Sequence, residues 1–202
     1  MSTSIKSRLI IIAMFIFFAF PILVALFMYQ YNWRPKSFSY GELIKPIVKI
    51  NLSDDLELHL KDQQNKERKL FDERWSFVYL TDKCEIVCEN KLHDLRQIHA
   101  SLEKDIPRIQ RVLITSDKNI KKIQEEYPDL IILNRPSQNI INLSSQFNTP
   151  SYKAINSNNV YLVDPMSNLM MVYAEKIKPI EIRKDITRLL KSSWAGYLYI
   201  FR

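Results

Sequence analysis

The sequence predicts a mixed α/β domain that follows one N-terminal transmembrane helix. The first observation is an uninterrupted apolar segment near the N-terminus that is long enough to span a bilayer. The second is the order of the patterns after it, in which short runs of aromatic and β-branched residues alternate with amphipathic helical spacing. Such alternation is typical of domains in which helices cover a central sheet.

The apolar segment Leu9–Tyr29 contains no charged residue. As a helix it would be roughly 31 Å long, which matches the hydrocarbon core of a bilayer. We therefore predict a short cytoplasmic tail at 1–8, a transmembrane anchor at 9–31 and a linker at 32–47 that leads into the soluble domain. A cleaved signal peptide is the alternative, but the segment is longer than a typical signal sequence and no small-residue cleavage site follows it.

The charges next to this segment do not decide its orientation. Basic residues lie on both sides of it, with Lys6 and Arg8 before it and Arg34 and Lys36 after it. Short tails usually stay inside, whereas long domains cross a membrane largely regardless of charge. We therefore expect the N-terminus inside and the globular domain outside.

Composition excludes two classes of function. The chain has a net charge of +7, but its basic residues are scattered among acids and form no cluster interleaved with aromatic residues, so we predict that it binds no nucleic acid. Anionic lipid head groups or an acidic partner account for the basic balance more simply. The chain has only 2 glycines, Gly41 and Gly196, so neither a phosphate-binding P-loop nor a dinucleotide-binding glycine motif can be formed.

The strand and helix predictions follow the chain in order. Residues 47–60 alternate between apolar and polar positions, which predicts one or two short strands. The apolar run Trp75–Leu80 predicts a buried strand, and apolar residues at helical spacing from Leu92 to Ile106 predict an amphipathic helix of about four to five turns. The remaining predictions are a strand at 111–115, a polar helix around 117–126, a strand at 130–133, a long loop with one helical turn at 134–159, a hairpin of 160–163 with 169–173, and a helix at 179–192.

The central sheet is predicted to be partly parallel, because two short buried strands that flank a helix form a βαβ unit. This arrangement places Cys84 just beyond the carboxyl end of a central strand and close to the start of a helix. Open α/β sheets bind their ligands at that edge. Cys84 and Cys88, the 2 cysteines of the chain, are therefore the main candidates for a functional site.

The spacing of Cys84 and Cys88 allows three interpretations. At a helix start, backbone N–H groups favour a thiolate; Lys83 adds to this effect, whereas three neighbouring acidic residues oppose it. Within a regular helix, such side chains are about 5–6 Å apart, which suits a shared soft ion such as Cu(I) better than a disulfide. A disulfide requires Cys84 to lie in the preceding loop, and two inert, packed thiols are the third interpretation.

Four motifs of the chain together resemble those of one known family. They are the strand Trp75–Leu80, the Cys84-x-x-x-Cys88 pair, the strand RVLIT and the hairpin sequence YLVDP that begins at Tyr161. They resemble the motifs of the SCO/SenC proteins, which are membrane-anchored, thioredoxin-like copper proteins involved in the assembly of cytochrome c oxidase. The resemblance implies that residues 48–202 form a thioredoxin-like domain, with a mixed central sheet flanked by helices.

By this resemblance, Cys84 and Cys88 correspond to the two copper-binding cysteines of the family. The family's third copper ligand is a histidine shortly before the hairpin, and that position is occupied here by Asn156. Glu85 and Glu89 replace the two prolines that usually follow the cysteines. The implied cofactor is therefore Cu(I), with an incomplete ligand set as the main departure from the family.

Other side chains that could bind a soft metal are predicted to have structural roles. They are His59, His93 and His99, expected at the surface or partly packed; Met166, Met170 and Met171, expected in the core; and Asp164, expected to start the hairpin turn. None of them is assigned to the site.

Three functions remain open. The first is an assembly factor for cytochrome c oxidase that captures Cu(I) on the two thiolates and passes it to an oxidase subunit. The second is a thiol–disulfide reductase in which Cys84 attacks and Cys88 resolves, so that the copper-site cysteines of a partner stay reduced. The third is a non-catalytic, membrane-tethered interaction module with an inert cysteine pair. The resemblance implies a single-pass protein of the inner (plasma) membrane with a periplasmic domain, whose partner is an oxidase subunit or another copper or thiol assembly factor.

Overall fold

The chain divides into two compact units, Met1–Phe38 and Ser39–Arg202. In the computed structural model, the residues whose structure is described are 3–31, 39–53, 56, 60–61 and 67–193. The first unit contains helix α1, Thr3–Gln30. Within Lys6–Gln30, an apolar window has a mean hydropathy of 3.1 and no buried residue, so the described residues contain one helix that is long and apolar enough to cross a membrane. The predicted N-terminal apolar helix is confirmed, whereas its orientation stays a prediction.

The second unit is built around a mixed sheet. Its strands are β1 (Glu42–Lys49), β2 (Leu60–Lys61), β3 (Glu67–Arg68), β4 (Trp75–Thr81), β5 (Ile109–Thr115), β6 (Ile131–Asn134), β7 (Val160–Val163) and β8 (Asn168–Tyr173). Six of them form one sheet in the order β1-β8-β7-β4-β5-β6, and β2 pairs separately with β3. β4, β5 and β6 are parallel to each other, whereas the pairs β4–β7, β7–β8 and β8–β1 are antiparallel. The predicted partly parallel sheet is therefore confirmed.

Helices cover both faces of this sheet. They are α2 (Ile86–Ala100), a 3₁₀ helix (Glu103–Arg108), α3 (Ile120–Glu126), α4 (Ser137–Ser145) and α5 (Pro179–Ser192). Buried residues of α2 and α5 belong to one apolar core, and those of α4 belong to a second core on the opposite face. In α5, the buried Ile182, Ile186 and Leu190 recur every four residues, the spacing that keeps one helix face against the sheet.

Strand β4 lies inside the sheet and is buried along its whole length. Phe77 and Tyr79 pack in the core of α2 and α5, whereas Val78 and Leu80 pack in the core of α4, because successive side chains of a strand point to opposite faces. Burial on both faces explains why this strand is apolar without alternation. Its carboxyl end leads directly into the loop that contains Cys84.

Three segments differ from the sequence predictions. β1 lies largely within the predicted linker and pairs with β8; Pro46 is tolerated there because β1 is an edge strand. α4 has nine residues where a loop with one turn was predicted, because Ile140 and Leu143 are buried in the second core. The predicted long helix divides, since α2 ends at Ala100 and Ile106 belongs to the 3₁₀ helix.

Candidate functional site

The two cysteines lie at the carboxyl end of the central strand. β4 ends at Thr81, α2 begins at Ile86, and Cys84 lies in the loop between them. Cys88 lies in the first turn of α2 and is 3% exposed, whereas Cys84 is half-buried against the core of α2 and α5. The predicted position of Cys84 is confirmed, while the chemical role of the pair stays a prediction.

A disulfide joins Cys84 to Cys88, and their Cα atoms are 5.0 Å apart. Sequence reasoning left this bond open, because it requires Cys84 to lie outside the regular helix. The backbone of Glu85, at the N-cap of α2, is still extended, so the chain enters the helix only after Cys84. The pair is therefore asymmetric: one sulfur belongs to a loop that solvent can reach, and the other is shielded by the helix.

Asn156 braces the loop that leads to Cys84. Its Oδ1 accepts a hydrogen bond from the backbone N–H of Asp82 at 2.9 Å and lies 3.2 Å from the hydroxyl of Thr81. Its Nδ2 donates to the carboxylate of Asp82 at 3.2 Å. Asn156 has a φ of 57°, in the left-handed region that asparagine tolerates better than most residues. Both ends of this amide are therefore engaged within the protein.

Buried Tyr79 holds the segment that carries Asn156. Its hydroxyl donates to Oδ1 of Asn158 at 2.9 Å, and Nδ2 of Asn158 donates to the carboxylate of Glu175 at 3.0 Å. Burial, with a smaller contribution from the charge of Glu175, raises the pKa of Tyr79 to about 12. The hydroxyl therefore keeps its proton at neutral pH and remains a donor to Asn158.

Asp117 holds the loop of Cys84 from the end of the neighbouring strand. One carboxylate oxygen accepts the backbone N–H of Cys84 at 2.8 Å, and the other accepts the backbone N–H of Asn119 at 2.8 Å. These hydrogen bonds, first that of Asn119 and then that of Cys84, lower the pKa of Asp117. The Thr115 hydroxyl also donates to the carbonyl oxygen of Asp82 at 3.2 Å. Sequence analysis missed Asp117, although its place shortly after a parallel strand points to the same edge of the sheet.

An open cavity of about 460 Å³ lies beside Cys84. Its lining consists of Cys84, Glu89, Lys118, Asn119, Lys121, Lys122 and Ile123. Lys122 forms an ion pair with Glu89 at 2.7 Å. For Lys118 and Lys121, no ion pair is found with any other described residue. Cys84 therefore borders a surface with an excess of positive charge. The lysines of this surface lie in the segment 118–123, which is separate in sequence from the segment of Cys84 and Glu89.

The described residues do not supply the donor set of a three-ligand copper centre. Among the residues that the structure describes, no group of three His, Cys, Asp or Glu side chains could hold a metal ion. Asn156 stands where the resemblance implies a histidine, and its amide is engaged by Asp82. Of the ligand set that the resemblance implies, the chain has the pair Cys84 and Cys88, whose sulfur atoms are joined to each other.

The two described histidines, His93 and His99, do not lie at this site. His93 is exposed, with Nε2 3.5 Å from the side-chain nitrogen of Gln97. His99 is half-buried, with Nε2 3.1 Å from the carbonyl oxygen of Ile109, and burial lowers its pKa. Both agree with the expected surface or partly packed roles. His59 lies outside the described residues.

The hairpin residues are structural, with one difference from the prediction. Asp164 starts the turn as expected, since its Oδ1 accepts the backbone N–H groups of Met166 and Asn168 at 2.9 and 2.8 Å. Met171 is buried and Met170 packs against the core. Met166 is 68% exposed, so its predicted place in the core is wrong, because it lies in the tight turn rather than on either strand.

One known family matches the chain over more than half of its length. It is the family described as the transmembrane-like, thioredoxin-like, C-terminal domain, and the match spans residues 75–193. The chain belongs to this family. The matched range begins with β4, includes both cysteines and ends after α5. No curated protein matches the sequence.

Solved structures of Sco proteins are similar to this chain in fold. ScoI of Arabidopsis thaliana with copper bound is 15% identical, with a TM-score of 0.53 over 68% of this chain and 98% of that chain. Yeast Sco1 is 18% identical, with a TM-score of 0.53 over 68% of this chain and 97% of that chain. BsSco is described as a member of the Sco family of cytochrome c oxidase assembly proteins with a disulfide switch. It is 16% identical, with a TM-score of 0.50 over 73% of this chain and 94% of that chain. At these identities the likeness shows the fold, and the thioredoxin-like fold implied by the sequence is confirmed.

Proposed function

We propose that this chain is a membrane-anchored thiol–disulfide oxidoreductase that acts in the assembly of cytochrome c oxidase. The observation that carries the proposal is the Cys84–Cys88 disulfide at the ligand-binding edge of the sheet. Cys84 is accessible and Cys88 is shielded, as expected of an attacking and a resolving thiol. Asn156 favours thiol exchange over stable copper binding, because its amide is occupied by Asp82 and offers no soft third ligand.

The exchange needs only the two cysteines and a partner disulfide. In the reduced form, the Cys84 thiolate attacks one sulfur of that disulfide and forms a mixed disulfide with it. The partner's other sulfur leaves as a thiolate and takes up a proton. The Cys88 thiolate then attacks the sulfur of Cys84 and releases the partner's second thiolate. Two electrons have passed to the partner. A dithiol protein then reduces Cys84–Cys88 by the same exchange in reverse.

Groups around the pair support the thiolates that this exchange requires. Cys88 lies in the first turn of α2, where backbone N–H groups and the helix dipole favour negative charge. Glu85, the N-cap residue, makes no side-chain hydrogen bond to these N–H groups. The lysines of the neighbouring cavity add positive charge near Cys84.

The proposed partner is a subunit of cytochrome c oxidase or another copper or thiol assembly factor. Copper-site cysteines bind metal as thiolates, so they must be reduced before the metal arrives. The likeness in fold to BsSco supports this biological context. The proposed location is the inner (plasma) membrane, with residues 9–31 as a single anchor, the N-terminus in the cytoplasm and the globular domain in the periplasm.

Cu(I) transfer is the second candidate function. The observation in its favour is that reduction of the disulfide would leave two thiolates four positions apart, and thiolates are preferred ligands of Cu(I). Copper would then be cargo that is held by two ligands and released to the partner. A tethered interaction module with an inert cysteine pair is the remaining alternative.

Trapping of a mixed disulfide tests the proposal. The full chain in detergent micelles is reduced and mixed with a peptide that contains an internal disulfide, and quenched samples are measured by mass spectrometry. Cys88→Ser is expected to accumulate a mixed disulfide through Cys84. Cys84→Ser is expected to accumulate little or none, because Cys88 is 3% exposed. The wild-type chain is expected to proceed to its own disulfide and release the reduced peptide.

The same three proteins are titrated with Cu(I) against a chromogenic chelator. Equal trapping by both single variants would contradict the attacking role of Cys84. Absence of exchange together with one-to-one Cu(I) binding that both variants lose would replace the proposal with copper transfer. Absence of both activities would leave the interaction module.

A further inference from the structure

We propose that the cavity beside Cys84 is a docking site for an acidic segment of the protein that exchanges disulfides with this chain. This inference rests on the proposed thiol–disulfide exchange and adds the chemical class of its partner. The occupant is a peptide segment that carries Asp or Glu side chains close to a cysteine. The cavity volume of about 460 Å³ lies in the range of ligand-binding pockets.

The charge of the cavity points to an acidic occupant. Three lysines and one glutamate line it, and the glutamate, Glu89, is already paired with Lys122. Lys118 and Lys121 are both exposed, with no ion pair to another described residue. Two further acids adjoin lining residues in sequence: Asp117 directs its carboxylate to the backbone N–H groups of Cys84 and Asn119, and Glu85, next to Cys84, is exposed outside the lining. Two cationic side chains are therefore available to an incoming carboxylate.

Cys84, the proposed attacking cysteine, lies in the same cavity as the lysines. Cys84 lines the cavity, whereas the lining does not include Cys88. A segment held by Lys118 and Lys121 would therefore bring its own sulfur to the attacking cysteine. Ile123, which is 5% exposed, adds an apolar element to an otherwise polar lining, so an apolar side chain next to the acidic residues suits the site.

Opposite charge on a binding surface acts mainly on the rate of association. Electrostatic attraction raises association rates by factors of about 10 to 1,000 and weakens steeply with salt. The screening length is about 30 Å at 0.01 M salt and about 3 Å at 1 M. An acidic partner should therefore react faster than a basic one at low salt, and the difference should nearly vanish at high salt.

Three peptides that differ only in charge test this inference. Each contains the same disulfide, flanked by Glu, by Ser or by Lys, and each is mixed with the reduced full chain in uncharged detergent. We expect the Glu peptide to form a mixed disulfide at least about tenfold faster than the Lys peptide at low salt. The order should invert in the double variant Lys118→Glu with Lys121→Glu.

A matched double variant controls for net charge. Lys184→Glu with Lys191→Glu changes the charge equally, on the exposed face of α5, and should keep the wild-type order of the three peptides. If the wild-type chain reacts with all three peptides at one rate, or if both double variants shift the order equally, the docking site is wrong while the exchange function stands. If no peptide reacts at all, the exchange function fails and the docking site falls with it.

Discussion

The side-chain amide of Asn156 holds Asp82 at two points, through the backbone N–H at 2.9 Å and the carboxylate at 3.2 Å. Asn156 is therefore a brace for the loop of Cys84. The brace connects positions 74 residues apart in the sequence.

Removal of this amide is expected to loosen the loop. Asn156→Gly should lower the free energy of unfolding by about 1 kcal/mol, because the hydrogen bonds are lost while glycine accepts the positive φ. A phosphine should reduce the Cys84–Cys88 disulfide faster in this variant. Denaturant unfolding and timed thiol labelling of the full chain measure the two effects.

The backbone contribution of Asn156 is separated by a second substitution. The free energy of unfolding of Asn156→Ala should be about 1–2 kcal/mol lower than that of Asn156→Gly, because alanine is disfavoured at a φ of 57°. Asn142→Ala, an exposed position on α4, serves as the control for loss of an asparagine. Wild-type stability and reduction rate in Asn156→Gly would mean that the amide does not brace the loop.

Ionisation of Asp117 should make the stability of the fold fall as the pH is lowered into the acid range. Hydrogen bonds from the backbone of Asn119 and Cys84 lower the pKa of Asp117 below its ordinary value of 3.8. A lowered pKa in the folded state means that the ionised carboxylate stabilises the fold above pH 3.8, and that this stabilisation is lost as the pH falls through the lower, folded-state value.

Asp117→Asn should therefore be less stable than the wild type near neutral pH, and the gap should narrow below pH 3.8. Thermal unfolding of the full chain over an acid-to-neutral pH series measures the gap. Asp94→Asn, which removes a carboxylate from α2, is the control. A gap that stays constant through the acid range would show that the titration of Asp117 does not contribute.

Reduction of the disulfide should leave the domain folded. The bond closes a loop with a sequence separation of only 4, for which the chain-entropy account gives a stabilisation of about 2 kcal/mol. Denaturant unfolding of the oxidised and reduced chain, followed by circular dichroism, measures the difference. The double variant Cys84→Ser with Cys88→Ser should have the same free energy of unfolding as the reduced chain, and adding reductant should not change it. A domain that unfolds on reduction could not cycle between the two redox states and would contradict the proposed function.

Gly41 should not tolerate a side chain. A Cβ there would lie 2.5 Å from Sδ of Met171 and 2.7 Å from Cε1 of Tyr173, while the Gly41 N–H donates to the buried carboxylate of Asp185 at 3.0 Å. Gly41→Ala should therefore lower the free energy of unfolding by about 1–3 kcal/mol. Glu42→Ala, at the next and exposed position, is the matched control. Equal stability of the two variants would contradict the close approach of Gly41 to Met171 and Tyr173.

The local patterns of the sequence were sufficient for the main elements. The apolar N-terminal helix, strands β4 and β5, the β7–β8 hairpin and helix α5 are set by periodicities within short windows, because burial on one or two faces selects each residue type directly. The same local reading placed Cys84 between β4 and α2. It could not place β1, whose pairing partner β8 lies more than a hundred positions away.

The chemistry around the disulfide was decided by the tertiary structure. Asp117 reaches Cys84 across 33 positions, and Asn156 reaches Asp82 across 74, so no window of the sequence contains either contact. The lysines of the cavity stand beside Cys84 for the same reason, because parallel strands bring their carboxyl ends to one edge of the sheet. The sequence by itself determined that Cys84 and Cys88 are the candidate pair and placed Cys84 at the carboxyl end of β4. Only the fold decided which side chains hold their loop and which charges lie beside Cys84, since those depend on distances in space between residues far apart in the chain.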